Sequence, residues 1–295
     1  MKKSYTGVFA PLTTPFDNEE VSYSGLRENI QKYNSTDLSG YVVLGSTGEA
    51  VYLTDMESLK IVETARKESS PEKAVIAGTA RESTRLTMDF TNAAAEAGAE
   101  AALIRTPSYF KSRLSQETLK NHYLRIADNS RIPVIIYNIP VHTGINLTKD
   151  LILELADHPN IAGLKDSSGN LTALNELLPH LPQNFCVLLG AGGIFFSGIL
   201  MGAKGGILTL SDVAPILCLR LFSLARTGNI KEGRKLQQNL VPLNTAIISA
   251  YGVAGAKYAL DLIGYHGGLC RSPLPILELH EKEHIKSILQ DLKLL

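Results

Sequence analysis

Short apolar runs alternate with longer helical patterns eight times between Val8 and Arg226, and no break interrupts the alternation. Strands are expected at 8–11, 40–44, 74–78, 101–105, 133–137, 161–165, 185–189 and 205–209. Helices are expected at 24–33, 54–67 (with Thr54 as cap and Asp55 and Glu57 in the first turn), 85–97, 115–129, 148–156, 171–178, 193–201 and 213–226. Runs such as Pro133-Val134-Ile135-Ile136-Tyr137 are apolar at nearly every position, as in a parallel sheet buried on both faces. Eight βα units without a reversal predict an α/β chain folded as a closed (β/α)8 TIM barrel rather than a doubly wound sheet.

A barrel of this kind needs about 250 residues, and the chain has 295. From Gly228 onward only helical patterns occur, at 231–240, 242–249, 254–262 and 274–289. The expected division is therefore a barrel over 1–227 and a C-terminal helical extension over 228–295, packed on the barrel. With 44% hydrophobic and 20% charged residues, the chain can bury a substantial core. Twenty-nine basic residues balance 29 acidic ones and no long basic block occurs, so neither nucleic acid nor an anionic membrane is an expected partner. No uninterrupted apolar stretch of about 18 residues suggests a membrane span. Cys186, Cys218 and Cys270 have neither zinc-ligand nor disulfide spacing, and Met1-Lys2-Lys3 is not followed by an apolar leader. A cytoplasmic protein with reduced thiols is expected.

Barrel enzymes assemble their chemistry where strands end. The second strand ends in Gly45-Ser46-Thr47-Gly48-Glu49-Ala50, which can aim hydroxyls and backbone N–H groups at an anion, or can be a tight capping turn. The fourth ends in Thr106-Pro107-Ser108-Tyr109-Phe110, an aromatic pair that could equally pack over the mouth. The fifth delivers Tyr137, and the sixth Lys165. An amine among apolar walls loses solvation and can attack a ketone, whereas the plainer alternative is a lysine reaching solvent. The glycines at 190, 192, 193, 205 and 206 could hold a phosphate, or simply allow close packing. The seven histidines show no HxH or HExxH spacing, so no metal site is expected.

Gly45-Ser46-Thr47-Gly48-Glu49, Tyr137-Asn138-Ile139-Pro140 and Gly163-Leu164-Lys165-Asp166-Ser167-Ser168-Gly169 together resemble the signatures of the dihydrodipicolinate synthase / N-acetylneuraminate lyase superfamily. Its members are class I pyruvate-dependent aldolases on a (β/α)8 barrel, and the resemblance extends over nearly the whole chain. It implies that Lys165 forms an imine with a 2-oxo acid, with no other cofactor. Tyr137 would be the general acid/base, hydrogen-bonded by Ser46, and Tyr109 would complete that relay across a subunit contact. Thr47, Gly48 and neighbouring N–H groups would hold the 2-oxo acid carboxylate, and the Ile207 carbonyl would line the pocket. The implied partners are a small 2-oxo acid, an aldehyde, and further copies of the chain in a homotetramer built as a dimer of dimers.

The superfamily's branches differ where they grip the aldehyde. Dihydrodipicolinate synthases carry an arginine at the position of His142 here. N-acetylneuraminate lyases carry an Asp-Glu pair where this chain has Gly192 and Gly193. Thr13-Thr14-Pro15-Phe16, Gly190-Ala191-Gly192-Gly193 and 264–274 look most like the 4-hydroxy-2-oxoglutarate aldolase branch, the first reading. Dihydrodipicolinate synthase is the alternative, followed by N-acetylneuraminate lyase or a 2-keto-3-deoxy sugar acid aldolase. Outside enzymes, a 2-oxo acid-binding sensor barrel remains.

Overall fold

The computed structural model describes residues 5–295. Its barrel strands are β1 (Gly7–Ala10), β2 (Gly40–Val43), β3 (Ala74–Gly78), β4 (Ala101–Arg105), β5 (Val134–Asn138), β6 (Ile161–Asp166), β7 (Cys186–Leu189) and β8 (Gly205–Ile207). All are parallel, each pairs with its neighbours in chain order, and β8 closes on β1 through the register Gly7↔Gly205. Pleat alternation divides the apolar residues into two cores. Phe9, Val42, Ile76, Ala101, Leu103, Ile135, Tyr137, Leu188 and Ile207 fill the barrel, whereas Val43, Ile104, Ile136 and Leu164 face the surrounding helices.

One irregularity reorients the sixth strand. The register passes from Val134↔Ile161 to Ile135↔Gly163, so Ala162 is an extra residue on β6. Without the bulge, strict alternation from the outward Ile161 through Ala162 would turn Leu164 into the barrel and Lys165 out of it. With it, Leu164 packs outward and Lys165 registers beside the inward Tyr137.

The helices follow the expected places with small shifts at their ends. Thr54 caps Asp55–Glu68 through a capping box with Glu57. Three expectations change. The helix expected at 213–226 is two, Leu210–Val213 and Pro215–Arg226, because Pro215 opens the second and extended backbone is favoured before a proline. Pro242 does not begin a helix. It lies inside Ile230–Asn244, and Thr245–Ala250 then winds as a π-helix, a place where a missing N–H disturbs the ladder. The last helix begins at Leu279 rather than Leu274, started by a Glu278/Glu281 capping box after the prolines Pro273 and Pro275. A small antiparallel hairpin, Phe16–Asp17 with Glu20–Val21, is too short to leave a periodic signal. No helix among the described residues is long and apolar enough to cross a membrane.

Candidate active site

The C-terminal ends of the strands open into a cavity of about 690 Å³, lined by Ser46, Leu103, Arg105, Tyr137 and His142, among others. Tyr137, which lines it, is 6% exposed, and Lys165, its register partner on the next strand, is 5% exposed. The Lys165 Nζ lies 4.2 Å from the centroid of the Tyr137 ring, a cation–π distance for an ammonium and a close approach for a neutral amine. Both side chains are held from behind. Asn138 and Asp166, paired in register directly after them, are joined by Asn138 Nδ2 donating to Asp166 Oδ1 at 2.8 Å. Ser168 Oγ donates to the other Asp166 oxygen at 2.7 Å. Gly190 leaves the space that Lys165 occupies, since a Cβ there would lie 3.2 Å from Lys165 Cε and 1.8 Å from Ser167 Oγ.

The turn after β2 has a divided role. Its Gly48 N–H donates to the Gly45 carbonyl and its Glu49 N–H to the Ser46 carbonyl, both at 3.1 Å. Among the described residues the Ser46 and Thr47 N–H groups have no such partner, so these two can receive an anion. Gly48 therefore shapes the turn, and its N–H does not point to a ligand. Thr47 Oγ1 lies 2.9 Å from Thr209 Oγ1, which ties the turn to the segment after β8. Two non-glycine residues with positive φ, Leu44 at 59° and Glu49 at 54°, bracket the turn. Such backbone persists only where its surroundings hold it. Glu49 is held by Lys257, fully buried on Gly252–Leu262, with Nζ 2.5 Å from Glu49 Oε1. The Arg271 N–H donates to Glu49 Oε2 at 2.9 Å. Burial lowers the Lys257 pKa and attraction to Glu49 opposes that, while the Leu269 carbonyl accepts from its Nζ at 2.8 Å.

The remaining expected residues are placed unevenly. Ile207 is buried in the barrel core with Tyr137. Ser46 lines the cavity with Tyr137, but no hydrogen bond joins the two within the chain. Tyr109 is 80% exposed, stacks edge-on against Phe110, and does not line the cavity. Within one chain it cannot complete a relay with Tyr137. His142 stays exposed at the rim, where partial desolvation lowers its pKa below the ordinary histidine value. The shift disfavours its charged form, so it is a poor replacement for an arginine's permanent charge. The glycines after β7 are filled by the helical extension. Gln237 Nε2 donates to the Gly192 carbonyl at 3.0 Å, and a Cβ on Gly192 would meet Asn244 Oδ1 at 2.3 Å. Close packing accounts for Gly192, as it does for Gly190 against Ser167 and Lys165, whereas a Cβ on Gly193 would meet only Asn244 Nδ2 at 3.7 Å.

Three residues with a bearing on the site are not among the candidates read from the sequence. Arg105 ends β4 in register with Tyr137. Glu82 holds the following loop by accepting from the Ser108 and Tyr109 N–H groups at 2.9 and 3.0 Å. Asp212 is fully buried with neither carboxyl oxygen hydrogen-bonded. Desolvation raises its pKa well above the carboxylate range, against the pull of the Lys165 charge. Arg105 was detectable as the one charge in an otherwise apolar strand, while the other two had no local signal.

Comparison with known proteins agrees with this geometry. The Dihydrodipicolinate synthetase family matches residues 4–292. A 4-hydroxy-tetrahydrodipicolinate synthase of Archaeoglobus fulgidus is 33% identical over 292 residues, covering 99% of each chain. One of Legionella pneumophila is 33% identical over 293 residues, covering 99% of this chain and 100% of that one. A dihydrodipicolinate synthase crystal structure superposes with a TM-score of 0.93 at 30% identity, over 99% of this chain and 100% of that one. Another, from Acinetobacter baumannii and complexed with pyruvate, gives 0.93 at 27% identity, over 99% and 100%. These relatives carry the synthase name and not that of the 4-hydroxy-2-oxoglutarate aldolase branch. With a family match over almost its full length and a lysine and a tyrosine buried together at the barrel mouth, the chain belongs to the dihydrodipicolinate synthetase family and is a class I pyruvate-dependent carbon–carbon lyase.

Proposed function

We propose that Lys165 condenses with the ketone of pyruvate, and that the enzyme joins this pyruvate to, or releases it from, a short aldehyde bearing a carboxylate. The observation that carries the reading is the buried Lys165 amine against the ring of Tyr137, which lines the cavity. The amine adds to the ketone carbon and water leaves, giving an imine. When protonated, the imine withdraws electrons from the adjacent carbon and stabilises the enamine that forms or breaks the C–C bond. Tyr137 is suited to carry the proton between the imine carbon's substituents and the aldehyde oxygen. The free N–H groups of Ser46 and Thr47 suit the pyruvate carboxylate. Tyr109, exposed at the mouth, is suited to enter a neighbouring copy's site in a homotetramer.

For the aldehyde, the relatives' names support the 4-hydroxy-tetrahydrodipicolinate synthase reaction, in which pyruvate adds to aspartate semialdehyde. His142, at the position where the family resemblance implies an arginine in the synthases, supports a second reading, cleavage of 4-hydroxy-2-oxoglutarate. Borohydride with pyruvate should fix on Lys165 a mass equal to pyruvate less one oxygen atom. An unmodified Lys165 in an active enzyme would overturn the proposal. Turnover of aspartate semialdehyde with pyruvate, measured beside cleavage of 4-hydroxy-2-oxoglutarate, decides between the two aldehydes.

A further inference from the structure

We infer that Arg105 is the residue that grips the distal carboxylate of the second substrate, from the strand neighbouring the one that leads into His142, the position where the family resemblance implies an arginine in the synthases. The inference rests on the imine chemistry proposed above. On β4, Ala101 and Leu103 face the barrel interior and Ala102 and Ile104 face outward, so the pleat turns Arg105 inward. Its register partner is Tyr137, whose own partner is Lys165. The three residues thus stand side by side on adjacent strands, and Arg105 lines the cavity.

The guanidinium is positioned without being saturated. Nη1 donates to Glu82 Oε1 at 3.0 Å and to the Thr106 carbonyl at 2.9 Å. Among the described residues, Nη2 and Nε have no hydrogen-bond partner, although the Arg105 side chain is only 21% exposed. An arginine fork with one edge fixed and the other open to a cavity is the geometry that receives a carboxylate. Glu82 does not cancel it. Burial would raise the Glu82 pKa, but donation by the Tyr109 and Ser108 N–H groups and by Arg105 outweighs burial and keeps it ionised. Its charge is therefore shared among three donors. The other arginine at the mouth, Arg81, is committed differently, with Nε and Nη2 both on Asp55 Oδ1 and Nη1 on the Ala80 carbonyl. Desolvation disfavours the charged form of His142. Arg105 is left as the cation available to a short aldehyde acid held near Tyr137.

The test compares two 2-oxo acids of equal length that form the imine but carry no 4-hydroxyl to cleave. 2-Oxoglutarate ends in a carboxylate and 2-oxopentanoate in a methyl. Half-saturation of borohydride trapping is measured for each, and for pyruvate, on the wild-type chain, Arg105→Met, Arg105→Lys and Arg81→Met. The wild type and Arg81→Met should prefer 2-oxoglutarate by roughly 10- to 100-fold, the range for a charge-assisted bidentate contact. Arg105→Met should lose that preference while still trapping pyruvate, and Arg105→Lys should keep part of it. A wild type without preference, or an Arg105→Met chain that retains it, overturns the inference and leaves the imine reading intact. Failure of the wild type to trap pyruvate removes the imine reading, and the inference falls with it.

Discussion

Tyr137 and Lys165 sit together because they are register partners at the ends of parallel strands, so their side chains have no choice but to share one face of the sheet. A phenol that moves a proton and an amine that holds the substrate have separable effects. Tyr137→Phe should lower kcat by about 10²- to 10⁴-fold while pyruvate trapping at Lys165 persists, measured by mass spectrometry beside a steady-state assay. Loss of trapping would make Tyr137 a support for the lysine and not the proton carrier.

Asp212 calls for a second prediction at the same scale. Its folded-state pKa lies above its unfolded value, so the folded chain holds a proton that the unfolded chain gives up. Its contribution to stability is present below about pH 4 and is lost as pH rises toward the folded pKa. Asp212→Asn keeps the shape and cannot ionise. It should raise the denaturant midpoint at pH 8 and change it little at pH 4. A destabilised variant at pH 8 would contradict the buried, neutral carboxyl.

At the scale of elements, the helix Gly252–Leu262 acts on the turn after β2 through one ion pair. Breaking a buried pair leaves an uncompensated charge and costs about 3–5 kcal/mol. Lys257→Met should therefore lower Tm and raise KM for pyruvate, because the turn that offers the Ser46 and Thr47 N–H groups loses its anchor. The double variant Glu49→Gln/Lys257→Met should recover much of the Tm. If KM stays unchanged in the single variant, the pair serves stability alone.

For the whole molecule, the question is what the exposed Tyr109 and Phe110 meet. If Tyr109 enters a neighbour's site, Lys165→Ala and Tyr109→Phe chains are each poorly active but complementary, since a mixed oligomer contains sites with both Lys165 and Tyr109. Co-expression should yield more activity than either variant alone, with sedimentation reporting a species larger than the monomer. Additive activity without recovery would place Tyr109 outside the relay.

The alternation of apolar runs and helices was sufficient to derive an eight-stranded barrel, because burial on both faces of a parallel sheet writes itself into every strand. The positions of Lys165, Tyr137 and the turn at 45–48 were equally legible, since strand ends can be read locally. Tertiary structure decided the rest. The bulge that absorbs Ala162 and so keeps Lys165 inward is visible only in the pairing with β5. Lys257 reaches Glu49 across more than two hundred residues, and Asn244 fills the space left by Gly192. Arg105 is legible as a charged strand end, but its place beside Tyr137 comes from the register. Periodicity records which residues leave water. It carries no record of which residue each one meets, and that pairing sets the direction of the amine, the anchoring of the anion turn and the charge facing the second substrate.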